Sequence, residues 1–223
     1  MKVRLKKEIV TLGQGDLKVE KFTGDKIHPK NWNKIIKSNS TVLIDVRNKF
    51  EIKIGKFKNA INPYTNSFRD FPEFVKNSKI DRNSKIAMYC TGGIRCEKAS
   101  AYLKNKGYKN IFQLEGGIIE YLKYNLESKK KSMWNGECFV FDNRVALNRS
   151  LKKGKYIQCF GCRRPLTKKD VKSHAYKRGV HCPHCVNERS KKQIQSSQAR
   201  QSQINLLKKK NIDHAFKKLT NLD

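Results

Sequence analysis

Cys90 opens the run Cys90-Thr91-Gly92-Gly93-Ile94-Arg95, directly after the apolar stretch Lys85–Tyr89. A cysteine that leaves a buried strand and meets the first turn of a helix sits among free backbone N–H groups, at the positive end of the helix dipole. That environment favours a thiolate or a persulfide anion. Gly92 and Gly93 let the backbone curl around the sulfur, Thr91 and Ile94 complete the cradle, and Arg95 is placed to pair with an anionic substrate. The plainer alternative is a structural cysteine beside a turn. With the helix beginning near Cys96, this second cysteine falls one residue too late for the cradle and reads as a buried helix thiol. Cys90→Ser is then expected to abolish activity and Cys96→Ser to spare much of it.

A second cluster lies downstream. Cys159-x2-Cys162 and Cys182-x2-Cys185 are separated by 19 residues, a spacing that suits a four-cysteine zinc ribbon. Four thiolates would close a tetrahedral site, so the metal would be structural. Two redox pairs without metal are the alternative, but a small segment with few core residues needs a staple. His174, His181 and His184 lie among them and read as surface side chains, because the cysteine set is already complete.

Short β-branched and apolar runs must position Cys90. Thr41–Val46, Lys85–Tyr89 and Asn110–Leu114 read as strands buried on both faces, and Cys96–Lys106 as a helix closed by Gly107. Strand, loop, helix, glycine and strand make a βαβ unit, whose ligands bind beyond the carboxyl ends of the strands. A short helix is expected over Asn31–Lys37, started by Pro29. Met1–Val10 alternates apolar and basic residues like a strand, yet no partner hairpin is near. These readings divide the chain into a remnant strand and linker (1–25), an α/β domain (26–128), a Cys-rich module (129–190) and a basic tail (191–223). The tail reads as an amphipathic helix carrying Leu207, Ile212, Phe216 and Leu219 after a flexible stretch.

The 223 residues hold 50 Lys and Arg against 19 Asp and Glu, a net charge of +31. Residues 1–128 carry 26 basic and 13 acidic side chains, residues 129–223 carry 24 and 6, so the imbalance concentrates in the second part. Such a surface fits a polyanion, and nucleic acid is the natural one. A lysine-rich compositional bias is the alternative. Arg163, Arg164, Lys168, Lys169, Lys177 and Arg178, with Tyr156, Phe160 and Tyr176 between them, suit RNA phosphates and splayed bases. No run approaches the ~18 apolar residues of a membrane span, and the basic N-terminus lacks an apolar signal core. A cytosolic, cytoplasmic protein is expected, with no membrane partner.

Tyr89-Cys90-x-x-Gly93-x-Arg95, Leu43-Ile44-Asp45-Val46-Arg47 with Glu51 and Gly55, and Leu114-x-Gly116-Gly117 together resemble the motifs of rhodanese domains. The resemblance implies a rhodanese-like parallel sheet with flanking helices and a persulfide on Cys90. Lys56 stands where that family usually has histidine. The longer strings Met88–Ser100 and Glu115–Glu120, with Cys138–Asp142, Arg144 and the downstream cysteine pairs, resemble one subgroup, the bacterial tRNA uridine hydroxylases of the TrhO type. That resemblance implies oxygen-dependent 5-hydroxylation of the wobble uridine of tRNA, with molecular oxygen as co-substrate. Members of the subgroup usually carry a further N-terminal domain, of which Met1–Gly13 looks like the last strand. No flavin or nicotinamide fingerprint and no two-histidine-one-carboxylate iron set is visible. A rhodanese-type sulfurtransferase is the alternative function.

Overall fold

Strands whose side chains are apolar on both faces are stable only when both faces are covered, and the core strands of this chain are built that way. The computed structural model describes residue 5, residues 8–15 and residues 17–212. These divide into two compact units, residues up to 138 with 148–152, and residues 139–147 with those from 153 onward.

In the first unit, α1 (Val19–Phe22) and β1 (Asp25–Ile27) precede α2 (Pro29–Ile36), β2 (Thr41–Asp45), α3 (Lys49–Ile52) and β3 (Gly55–Phe57). α4 (Phe71–Asn77), β4 (Lys85–Tyr89), α5 (Ile94–Asn105), β5 (Asn110–Leu114), α6 (Gly117–Glu127) and β6 (Trp134–Gly136) follow. The sheet order is β1-β5-β4-β2, and every pairing is parallel. Register aligns Asp45 with Tyr89, Met88 with Gln113 and Ile27 with Leu114. The segments that follow β2, β4 and β5 therefore emerge along one edge of the sheet.

Alternation along β4 assigns the two cores. Ile86 and Met88 join Ile44, Ile111, Ala99 and Leu103 in one layer, whereas Ala87 and Tyr89 join Leu43, Trp32, Ile118, Tyr121 and Trp134 in the other. Cys90 keeps the parity of Ile86 and Met88, so it falls in the layer of α5 and next to Cys96.

The parallel α/β architecture expected from the three apolar runs is the one observed, with β1 added at the edge. α5 starts at Ile94, two residues earlier than the sequence indicated. The strand expected over Met1–Val10 falls partly outside the described residues. Of the described part, Leu5 and Glu8–Val10 are irregular. There Leu12 is buried in the α5 layer, and Lys98 of α5 donates to Glu8 Oε2 (2.7 Å) and to the Val10 carbonyl (2.8 Å).

β7 (Cys138–Phe139) crosses the boundary between the units, and β8 (Ala146–Leu147) belongs to the second. The second unit continues with the antiparallel pair β9 (Ile157–Gln158) and β10 (Pro165–Leu166), then α7 (Lys168–Lys172) and α8 (Lys191–Lys209). Its Cys-centred core consists of Cys159, Leu166, Cys182 and Cys185, with Cys162, Val171 and Tyr176 packed against it. Around the cysteines themselves, two aliphatic side chains are too few to hold the turns by burial alone.

The tail, expected to be helical after a flexible stretch, is helical from Lys191 onward as α8. Ser190 and Gln193 form a capping box, and Lys, Gln, Ala and Arg favour the helix that follows. Of the four apolar residues expected on the tail helix, only Leu207 lies in α8. Ile212 follows its end, and Phe216 and Leu219 lie outside the described residues. Among the described residues, no helix is long and apolar enough to cross a membrane.

Candidate functional site

β4 ends at Tyr89, so Cys90 is the first residue of the loop, 2% exposed. Gly93 holds φ at +90° as the N-cap of α5, a conformation that costs a glycine little. Its N–H donates to Cys90 Sγ at 3.1 Å. With the cap at Gly93, Arg95 and Cys96 occupy the second and third positions of the helix, and the Cys96 N–H also donates to the Gly93 carbonyl (2.9 Å). The N–H groups of both residues point at the Cys90 sulfur, and the Cys96 thiol donates to it as well.

α6 supplies the outer half of the cradle. The N–H groups of Ile118 and Ile119 donate to the carbonyls of Cys90 (3.0 Å) and Thr91 (3.2 Å), which turns those oxygens away from the sulfur. Gly117 makes this approach possible. A Cβ there would lie 2.5 Å from the Cys90 oxygen and 2.6 Å from that of Thr91, and its φ is +66°. Gly92 is different, since a Cβ at that position meets nothing within 4 Å. Of the two loop glycines, only Gly93 is required by backbone geometry. Gly92 and Ile94 form an exposed rim above the buried Thr91 and Cys90.

Two ion pairs lie beside the loop. Arg47 donates to both Asp45 oxygens (2.9 and 2.7 Å) and to the Gly55 carbonyl (2.7 Å), with its guanidinium 5.0 Å over the Trp134 ring. Arg95 forks onto both Glu51 oxygens at 2.7 Å each, and Glu51 also accepts from the Asn48 N–H. Asp45, Arg47 and Glu51 are fully buried. Pairs this deep depend on both partners, because a single buried charge left behind costs about 3–5 kcal/mol. Arg95 was expected to meet an anionic substrate. It is instead committed to Glu51 and reaches the sulfur through its charge and its N–H.

The hydrogen bond from the Cys96 thiol does most to lower the Cys90 pKa, burial opposes it, and the Arg95 charge and the two N–H groups add to it. The outcome is a pKa of about 6, against 9.0 for an ordinary thiol. Burial and the hydrogen bond to Cys90 hold the Cys96 thiol well above its ordinary value, so it stays protonated. The expectation that Cys96 stands outside the cradle is thus corrected. The helix starts earlier than its apolar spacing indicated, and the signal that would have shown this is the glycine N-cap three residues before Cys96. One consequence is measurable. The rate of Cys90 alkylation by iodoacetamide should rise through a midpoint near pH 6 and be flat by pH 8, since the thiolate forms above the pKa. A midpoint near pH 8.5–9 would contradict the cradle.

In the second unit, the sulfurs of Cys159, Cys162, Cys182 and Cys185 all lie within 4.8 Å of one another. Cys162 and Cys182 are 3.8 Å apart, and Cys182 and Cys185 are 3.7 Å apart. A tetrahedron with Zn–S arms of ~2.3 Å has edges of about 3.8 Å, so four thiolates so placed fit zinc, whereas a disulfide needs ~2 Å. All four are free cysteines. His184 pairs with Asp170, and His181 Nδ1 meets the Ala175 carbonyl, so neither histidine belongs to the cluster.

Arg163, Lys168, Lys169, Lys177 and Arg178 are exposed in this unit. Arg164 is not available in the same way, because its guanidinium forks onto Glu188 and donates to the His184 carbonyl. Tyr176 packs against the cysteines, while Phe160 is 47% exposed. Arg189 and Arg200 carry roles that the sequence analysis did not assign. Arg189 donates to the carbonyl of Gly161 and to Ser197 Oγ (2.7 Å), and Arg200 donates to the carbonyls of Phe160 (3.3 Å) and Gly179 (2.8 Å).

Residues 29–124 match the family model of the rhodanese-like domain. A rhodanese-related protein from Thermoplasma volcanium is 28% identical over 45% of this chain and 92% of its own, with a TM-score of 0.38. A rhodanese-like domain protein from Staphylococcus aureus is 24% identical over 44% and 90%, with a TM-score of 0.37. An NAD-dependent persulfide reductase from A. fulgidus is 25% identical over 45% of this chain but only 16% of its own, with a TM-score of 0.32. Residues 29–124 are thus similar to the rhodanese-like domain and have its α/β fold, a parallel sheet with flanking helices, and a four-cysteine cluster that could hold a metal such as zinc follows.

Proposed function

We propose that this chain modifies tRNA, hydroxylating the wobble uridine at C5 with molecular oxygen, and that Cys90 is its reactive sulfur. The observation that carries the reading is the Cys90 cradle, in which N–H groups, a thiol and a buried arginine all favour an anionic sulfur. The specific choice of reaction rests on the resemblance of Met88–Ser100 and Glu115–Glu120 to the uridine hydroxylases. The substrate class rests on that resemblance and on charge. Arg163, Lys168, Lys169, Lys177 and Arg178 are exposed cations, and Phe160 beside them offers a face on which a base stacks.

Rhodanese-type sulfur transfer is the second reading, and one observation favours it. The donors that stabilise a Cys90 thiolate would also hold the terminal sulfur of a persulfide, and the family match covers this loop.

Nucleoside mass spectrometry of tRNA from cells lacking the protein separates the two. Loss of 5-hydroxyuridine and the nucleosides built on it, restored by the intact chain, is the expected result. An unchanged profile would end the hydroxylase reading and leave sulfur transfer.

A further inference from the structure

Hydroxylation of a C–H bond by dioxygen needs two electrons beyond those the bond supplies. The oxygen molecule accepts four electrons in becoming one hydroxyl oxygen and one water, and the C5–H bond gives two. Two thiols that close to a disulfide give the other two, together with two protons. The cradle holds such a pair. Cys90 and Cys96 are both buried in the α5 layer, and their side chains are hydrogen-bonded to each other. Their backbones are joined through a left-handed Gly93 under the exposed rim formed by Gly92 and Ile94.

We propose that Cys96 is the second thiol of a redox pair with Cys90, and that closure of the Cys90–Cys96 disulfide supplies the two electrons consumed in the hydroxylation. The inference rests on the hydroxylase reading given above. In the balanced step, one atom of O2 enters the C5–H bond as hydroxyl. The other leaves as water with the Cys96 proton and one proton from solvent, and the sulfurs, each oxidised by one electron, join. Two external thiols, or one dithiol, then restore the pair by exchange: the first attacks to form a mixed disulfide, and the second releases the protein thiol as the external disulfide leaves.

The charge states favour this chemistry. Cys90 ionises at about 6 and is the nucleophilic partner, while Cys96 keeps its proton and can deliver it. Cys96 also orients the Cys90 sulfur, so a purely positional role must be distinguished from a redox role. Cys96→Ser does this, because the serine hydroxyl preserves the donor and the size of the side chain but cannot form the disulfide.

The test is a single turnover of the full chain. Reduced protein, freed of reductant, is mixed in air-saturated buffer with tRNA from cells that lack the protein. The RNA is read for 5-hydroxyuridine, and the protein for the disulfide after alkylation. Trypsin cuts after Lys85, Arg95 and Lys98, so the disulfide links peptides 86–95 and 96–98 into one diagnostic species. The expected result is one linked pair per hydroxyuridine. Cys96→Ser should make about tenfold less product without added thiol and recover when dithiothreitol is supplied. Hydroxyuridine that accumulates while both cysteines remain alkylatable would overturn the inference and leave the hydroxylase reading standing, as would Cys96→Ser matching the parent protein without thiol. If the disulfide forms but no arm makes hydroxyuridine, the hydroxylase reading falls and the inference falls with it.

Discussion

Cys90→Ser is expected to lower the activity of the purified chain by at least about a thousandfold while leaving its fold intact. The reason lies in the cradle. The Gly93, Arg95 and Cys96 N–H groups, the Cys96 thiol and the Arg95 charge act together to stabilise a sulfur anion. A serine hydroxyl ionises far above physiological pH, so the same donors have no anion to hold. The substitution is nearly isosteric at a site that is 2% exposed, and the Ile86–Met88 face beneath it is unchanged. Circular dichroism and the melting temperature should therefore match the parent protein, and labelling by a thiol-specific reagent at pH 7 should lose its fast phase. A variant that keeps a tenth or more of the activity would remove Cys90 from the chemistry.

Removal of metal from the four-cysteine cluster should unfold the second unit and spare the first. The purified chain is expected to hold about one zinc, read by elemental mass spectrometry. Structural zinc contributes on the order of 10–16 kcal/mol in small modules, far more than Leu166, Val171 and Tyr176 contribute by burial. The cluster also anchors α8. That helix is polar along most of its length, and only Ser197 in it is buried. Arg200 of α8 donates to the carbonyls of Phe160 and Gly179, and Arg189, just before the helix, bridges the Gly161 carbonyl and Ser197 Oγ, next to the cysteine turns. Chelation, or Cys182→Ser, should thus abolish amide protection over residues 157–205 in hydrogen exchange, while β4 and α5 keep theirs. Full protection of these residues in metal-free protein would contradict a structural metal.

Local patterning determined a good deal of this protein. Runs such as Thr-Val-Leu-Ile and Lys-Ile-Ala-Met-Tyr have one stable home, a strand covered on both faces, and three of the four sheet strands are legible as such. The spacing of the cysteine pairs brought four sulfurs together because each Cys-x2-Cys turn fixes its own geometry. The glycine loop after β4 marked Cys90 because the donors nearest its sulfur, from Gly93 to Cys96, lie within six residues of it.

The tertiary structure decided what depends on chain segments far apart. Glu51 and Arg95 are 44 positions apart, and only the parallel alignment of β2 with β4 places α3 where the carboxylate can take the guanidinium. Gly117 abuts the Cys90 carbonyl because β5 ends level with β4, a register that no local pattern encodes. Cys96 became the partner of Cys90 because α5 packs in the layer that Cys90 enters from β4. Periodicity within a short window states which element a segment forms and which face it buries. It does not state which distant segment covers that face, and the environment of the reactive sulfur is made of such distant segments.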